Sequence, residues 1–426
     1  METMIQRLLL VVVVLLLPTA AMAENQIKQI EINGLEYSDA RTVERELPFA
    51  VGDVWKDEYG EIASRRLRNL GLFSEAVVLA PDDQGIVHIR VNDRWPLWLL
   101  PEATRKDNGA SSAGLTMTHH NLWGLHHNLR LAVRGDTGDN FSSITSNNGI
   151  SYQGSYAWRR IGDTNFGFDA SFDRGGAIFD AYQNGVLTSS YFQDKQSWSS
   201  GVSYGLGPVP GEGWDVRLGF AVNETAYALK SGPLLPDVLG LRRQAIQAST
   251  SYRLVNDRIT WFTGNEFDYN LSVAHQAIGS TINSYRQTTS LRRHIEIGRQ
   301  NTLDYRINAG LLTGNILRDG LFDVGDSSGM RGYYSGDLQG NPYVYGTLVV
   351  RHPSEINSND QLVAFVVAGH VRLEGRNALD KPIVIGVGGG VRWTLRWLVN
   401  GTLRADMAYG VATRKWRLHL GTGQAF

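Results

Sequence analysis

Leu303-Asp304-Tyr305-Arg306-Ile307-Asn308-Ala309-Gly310-Leu311 is the stretch on which the fold turns. Its odd positions are apolar; its even positions carry charges, an amide or Gly. A period of two belongs to a β-strand, whose successive side chains leave opposite faces. Val216, Leu218, Phe220 and Val222 alternate in the same way with Asp215, Arg217, Gly219 and Ala221. Ile150, Tyr152, Tyr156 and Trp158 alternate with Ser151, Gln153 and Ser155. A soluble antiparallel sheet also alternates. Here, however, the pattern recurs over roughly 330 residues, at about 20 residues per strand and loop, which makes about 16 strands. The count is 15 or 16 depending on how the stretch from Ala177 to Lys195 divides. In a soluble sandwich one face of each strand is core, and charges there are costly. In a transmembrane barrel the charged face lines a wet lumen and the apolar face meets lipid. The expected fold is therefore a transmembrane antiparallel β-barrel over 95–426.

Composition agrees. Among 426 residues there are 47 Gly, 11 Trp and 17 Tyr. Gly serves tight turns, and aromatic girdles mark the two interfaces of a membrane barrel. Every Trp except Trp55 lies from Trp95 onward. With no Cys, disulfides and thiolate chemistry are both excluded. A net charge of -1 leaves no basic field to recruit nucleic acid.

The first residues read as a secretory signal peptide over 1–23. Arg7 is the positive charge, Leu8 to Leu17 the apolar run, and Ala21-Met22-Ala23 the small-residue cleavage site. The mature chain is expected to begin near Glu24. The alternative, a short anchor helix, accounts less well for the cleavage site.

Residues 24–94 read as a separate small α+β module in the order β-α-α-β-β. Ile27, Ile30 and Ile32 form a strand ending at Asn33-Gly34. Ser38 or Asp39 caps a helix that runs to Leu47, before Pro48. A second helix runs from about Lys56 to Leu70 with Gly71 as its cap. Two strands follow, near Ala76–Ala80 and Ile86–Val91, joined by a turn at Asp82-Asp83-Gln84-Gly85.

Several motifs in this order resemble the superfamily of BamA and the two-partner-secretion transporters. In the N-terminal module these are Ile32-x-Gly34, Gly52-Asp53 and Arg66-Leu67-Arg68-Asn69-Leu70-Gly71-Leu72-Phe73-Ser74. They resemble a POTRA domain, with Phe73 plugging its core. Asn121-Leu122-Trp123-Gly124 resembles the first hairpin turn of the barrel. Met330-Arg331-Gly332-Tyr333 resembles the Arg-Gly-aromatic motif of a long extracellular loop folded into the lumen, here around 320–342. Phe365-x-x-x-Gly369 resembles the wall strand that receives the Arg. Gly386-x-Gly388-x-Gly390-x-Arg392 and Leu403-Arg404-Ala405-Asp406 resemble the strands that follow. His419, Gly421 and Phe426 are spaced as in a C-terminal assembly signal, from which Gln424 departs.

The resemblance implies a 16-stranded barrel behind one periplasmic POTRA domain, in the outer membrane of a Gram-negative bacterium. It also implies a role in assembling or translocating polypeptide. The expected partners are an unfolded or exported client, outer-membrane lipids, and periplasmic or lipoprotein partners. The edge strand at Val77, Val78 and Leu79 would capture the client by strand addition. The barrel would close its first strand, near Gly114–His120, onto Trp416–Phe426, where Gly421 and Gly423 weaken the seam. Two acidic partners of the loop Arg that are usual in the family are replaced here by Val349 and Val367. Arg331 is then expected to find another carboxylate, such as Asp406, or to stay hydrated. The alternative function is a passive pore or structural barrel without a client.

No cofactor, metal or enzymatic role is expected. Gly325-Asp326-Ser327-Ser328-Gly329 matches a nucleophile elbow, but a Gly-rich loop and a strand follow where the elbow needs a helix. His119, His120, His126 and His127 flank one turn, but neighbouring strand residues point to opposite faces, so only half converge.

Overall fold

The computed structural model describes residues 26–105, 111–137, 149–183, 186–258, 261–298, 301–325, 329–333, 337–354, 360–373 and 383–422. The expected signal peptide, Ser327, Gly423, Gln424 and Phe426 lie outside the described residues. The chain divides into two compact units between Arg94 and Trp95.

The N-terminal unit has the element order β1 (Gln29–Asn33), α1 (Ala40–Glu44), α2 (Glu58–Asn69), β2 (Phe73–Val78) and β3 (Ile86–Asp93). β3 is central, parallel to β1 and antiparallel to β2. Asp39 caps α1, its carboxylate accepting from the Arg41 N–H. The helix ends at Glu44, earlier than the expected Leu47. Gly71 follows α2 at φ +72°, a left-handed position that suits Gly. Ile27, Val43, Leu67, Phe73, Val87 and Ile89 fill the core.

The second unit is a closed ring. Its strands are β4 (Leu97–Arg105), β5 (Ser111–Leu122), β6 (His127–Thr137), β7 (Ile150–Trp158), β8 (Phe166–Gln183), β9 (Val186–Gly205), β10 (Gly213–Ser231) and β11 (Leu241–Asp257). Then come β12 (Phe262–Ala274), β13 (Ser284–Glu296), β14 (Thr302–Gly314), the two-residue β15 (Phe322–Asp323), β16 (Gln339–Pro353), β17 (Asp360–Leu373), β18 (Val384–Thr394), β19 (Thr402–Gly410) and β20 (Lys415–Thr422). Apart from β15, sixteen strands close the barrel, with β20 beside β4. The stretch of doubtful division is the hairpin of β8 and β9, 18 and 20 residues long. A tilted strand crosses hydrocarbon in about 9–11 residues. β8 to β11, each of at least 17 residues, therefore stand well clear of it.

One expectation needs correction. The barrel does not begin near Gly114–His120: those residues are in β5, and β4 precedes them, paired Leu97↔His119 through Arg105↔Ser111. The turn at Asn121–Gly124 is thus the second, joining β5 to β6. It still has its expected chemistry: Trp123 and Gly124 have φ of 58° and 73°, and Asn121 Oδ1 accepts from the His126 N–H at 2.7 Å. The seam lies between β20 and β4.

Burial in the barrel is inverted relative to a soluble protein. On β14, Asp304 and Asn308 are buried while Ile307 and Leu311 are exposed. On β10, Leu218 is 64% exposed, whereas inward-facing Arg217 pairs with Asp169 at 2.6 Å. A wall that hides its ions and displays its aliphatics belongs in a bilayer. Among the described residues, no helix is long and apolar enough to cross one. Where the chain enters the barrel, an aromatic belt rims the wall. Phe166 meets Tyr204 at 4.8 Å between ring centres, and Trp214 meets Tyr252 at 5.2 Å.

Candidate functional site: the loop docked in the lumen

The connection from β14 to β16 leaves the rim opposite the chain's entry and folds inward. Its residues Met330, Arg331, Tyr333 and Leu338 are at most 1% exposed. Met330, Tyr333 and Leu338 pack with Leu312, Phe322, Tyr345 and Val367 in one apolar cluster.

Bare backbone receives the loop. A Cβ on Gly386 would strike the Arg331 carbonyl oxygen, one on Gly388 would strike the Met407 carbonyl and the Phe365 ring, and one on Gly390 the Asp406 carboxylate. The alternate glycines of β18 thus clear three separate lumen partners. Gly332 adopts φ +95°, and its oxygen lies where a Gly410 Cβ would stand.

Arg331 lays its guanidinium over the Phe365 ring, Cζ 3.5 Å from the centroid. Such stacking is worth about 0.5–2 kcal/mol. Its Nη1 is 3.4 Å from Asp406 Oδ2. Asp406 is held more tightly by Arg392, at 2.7 and 3.2 Å through two nitrogens. One carboxylate thus serves two cations. The Gly332 N–H donates to His419 Nε2 at 3.1 Å, and the Tyr333 hydroxyl donates to the Ile385 carbonyl at 2.8 Å. The structure therefore brings together Arg331, Gly332, Tyr333, Phe365, Arg392, Asp406 and His419. Gly369 lies higher on β17, where its bare backbone lets Tyr345 pass. Gly421 sits opposite Arg404, whose guanidinium covers the place of a Cβ.

The two valines are buried beside this site: Val367 is in the loop's apolar cluster, and Val349 packs with Phe365. Sequence reading missed a second buried carboxylate, on β14. Asp304 is the direct cross-strand partner of Val349. It pairs with Arg351 and with His294 Nδ1, the latter at 2.6 Å. The signal was present as a charged inward position on β14, but the register that sets it opposite Val349 is not written in either strand alone.

A second constellation fastens the seam near the chain's entry. Trp95 N–H donates to the Trp397 carbonyl at 2.6 Å, and Val399 N–H donates back to Trp95 at 3.1 Å. The indole N–H of buried Trp98 donates to the Val399 carbonyl at 2.6 Å. The turn between β18 and β19 thereby reaches β4.

In the N-terminal unit, β2 is an edge strand. Val77 and Leu79 expose their side chains, but Val78 is buried. The Leu79 N–H bonds to His88, so alternation turns the Val78 amide outward. That amide already donates to Ser64 Oγ of α2 at 3.0 Å. A groove of about 390 Å³ runs beside this contact of α2 with the edge, lined by Trp55, Gly60, Ser64, Arg68 and Ala76.

An inward loop with an Arg-Gly-Tyr tip, seated on β17 to β20 of a sixteen-stranded barrel, defines a class of outer-membrane protein. The Omp85 superfamily domain matches residues 121–426, and this chain belongs to that superfamily. Among solved structures it is similar to CdiB from Escherichia coli (13% identity, TM-score 0.61, covering 94% of this chain and 74% of that one). It is also similar to CdiB from Acinetobacter baumannii (15%, 0.56, 92% and 73%). A third is BamA from Haemophilus ducreyi lacking POTRA domains 1–3 (13%, 0.52, 93% and 83%). At these identities the likeness is one of fold. No curated protein matches the chain.

Proposed function

We propose that this protein handles polypeptide at the outer membrane, as an assembly or translocation factor rather than an enzyme. Its N-terminal POTRA-like unit would stand in the periplasm. The observation that carries this reading is the Arg331 loop docked inside an Omp85 barrel, an attachment that a simple open pore does not need. The client would enter as an extended segment in the groove beside α2 and β2. There it would add to the sheet through backbone hydrogen bonds, which tolerate many sequences. To use the Val78 amide it would have to displace Ser64. From there it would pass through the bore or beside the seam between β20 and β4.

The test is a photo-crosslinker at Leu79, on the exposed edge, and another at Leu420, on the outer face of the seam strand, in growing cells. Discrete adducts with exported proteins at both positions support client handling and name the client. Adducts confined to lipopolysaccharide and major porins, with steady ion conductance of the pure protein, move the assignment to a passive pore. The replacement of two acidic residues by Val349 and Val367 is the feature that favours that second reading.

A further inference from the structure

The inner face of β9 to β13 encloses a polar hollow of about 380 Å³. Register explains why the wall is hollow there. Ala245 on β11 is the direct partner of Ala274 on β12, which is the partner of Ser284 on β13. Direct partners share a face, so three small side chains in one row leave space that larger ones would fill. Longer side chains surround them. Lys195 on β9 is opposite Thr225 on β10, and Arg286 is two residues beyond Ser284 on β13. Arg243 on β11 and the helical turn at Arg318–Gly320 complete the lining.

The charges here do not balance. Among the described residues that line the hollow, Lys195, Arg243 and Arg286 face one carboxylate, Asp319, an excess of two positive charges. Asp319 is engaged by Arg243, accepting from both of its terminal nitrogens at 2.6 and 3.0 Å. Arg286 donates to the Gly320 carbonyl at 2.7 Å and lies over the Phe322 ring at 3.9 Å, and neither brings a negative charge. The Lys195 ammonium has no ion pair or hydrogen bond with a described residue. Elsewhere on the lumen wall cations have their carboxylates: Arg217 has Asp169, and Arg292 has Glu266. Two hydroxyls also border the hollow, on Thr225 and Ser284, each residue only 7% exposed. Neither hydroxyl has a hydrogen-bond partner among the described residues.

We propose that this hollow binds a small phosphate-type oxyanion, free or as the phosphate of a small ester. Lys195 and Arg286 supply the charge, and Thr225 and Ser284 supply neutral hydrogen bonds. Such an anion removes the excess charge and gives acceptors to the ammonium, to the remaining guanidinium donors and to both hydroxyls at once. Four tetrahedral oxygens suit donors that approach from three strands; a planar carboxylate, with two, serves fewer of them. Walls of low dielectric and an uncompensated charge focus the field on this place. A volume near the lower end of the ~300–1,000 Å³ usual for ligand sites limits the occupant to a small solute. Binding needs no polypeptide client, so the site serves an assembly factor and a passive pore alike.

The experiment titrates the full-length protein in detergent micelles with inorganic phosphate and with glycerol phosphate, by calorimetry, in a buffer free of other polyvalent anions. Heat-shifted gel mobility reports that each barrel is folded. Saturable binding at one site per chain is expected below about 10 mM. Lys195→Gln is expected to weaken it about tenfold or more, the size of one charged hydrogen bond. Lys195→Arg, which keeps the charge, is expected to retain most of the affinity. Lys230, whose ammonium lies over the Phe192 ring at 5.6 Å, is outside the hollow. Lys230→Gln makes the same change of net charge there and is expected to leave affinity unchanged. Ala245→Gln fills the hollow without touching a charge and is expected to abolish binding. If that variant fails to fold, the comparison of Lys195→Gln with Lys230→Gln decides the question. Tighter binding of the ester assigns the site to small phosphate esters, and tighter binding of phosphate to the free ion; either supports the proposal. A wild type without saturable binding overturns it, as do equal losses in Lys195→Gln and Lys230→Gln or undiminished binding in Ala245→Gln.

Discussion

Asp406 carries more than the loop. Fully buried, it neutralises Arg392 through two hydrogen bonds and Arg331 through one longer contact. Asp406→Asn would leave two guanidinium groups facing each other without a counter-charge, a loss of up to about 3–5 kcal/mol. Arg331→Ala removes only the weaker contact and the stacking on Phe365, and should cost less. Urea midpoints of the full-length protein in micelles check this order; equal shifts would show that Arg331, not Arg392, is the principal partner. Outside the barrel, Asp39 offers a pH-dependent contact. Hydrogen bonds from the Arg41 side chain and then the Arg41 backbone N–H hold its carboxyl below the usual carboxylate range. Its capping contribution is therefore complete above the unfolded value of about 3.9 and is lost as pH falls through the depressed folded one. Amide protection of Arg41 and Thr42 should fall along that descent, and Asp39→Asn should flatten the dependence.

The elements divide by whether their evidence is local. The alternation on β10 and β14, the caps at Asp39 and Gly71 and the spaced glycines of β18 are written in single segments, and these were legible. β4 was not. Leu97-Trp98-Leu99-Leu100-Pro101 shows no alternation, and Pro argues against a central strand. Its place beside the seam explains both features: Trp98 turns to the Val399 carbonyl rather than to solvent, and seam strands are where a sheet tolerates Pro. The Asp304–Arg351–His294 group was equally hidden, because it depends on the register of three strands. Ser64 shows the same limit in the N-terminal unit, where a helix hydroxyl occupies the outward amide of an edge strand. Ser64→Ala frees that amide at a cost of about 1 kcal/mol. Crosslinking of clients at Leu79 should then rise; an unchanged yield would mean that capture does not use the Val78 amide.

For the molecule as a whole, closure depends on a seam fastened where the chain enters, by Trp95, Trp98, Trp397 and Val399. Trp98→Phe keeps the buried ring and removes one hydrogen bond, worth about 1 kcal/mol. If clients leave beside the seam, adducts at Leu420 should increase in this variant. If they pass only through the bore, that yield should stay constant. The tall wall of β8 to β11 has a different consequence. Above the hydrocarbon its inner face has a small core of its own: Phe179, Tyr191 and Tyr227 pack on Leu235 and Val238, and the Tyr191 hydroxyl accepts from the Leu235 N–H at 2.8 Å. Under the proposed placement of the N-terminal unit in the periplasm, this folded rampart would be what an antibody or a bacteriophage tail fibre meets first on the living cell. Its shape, not a limp peptide, would be the epitope, so immunisation with short synthetic fragments of this region should raise sera that recognise the denatured chain and pass over intact bacteria.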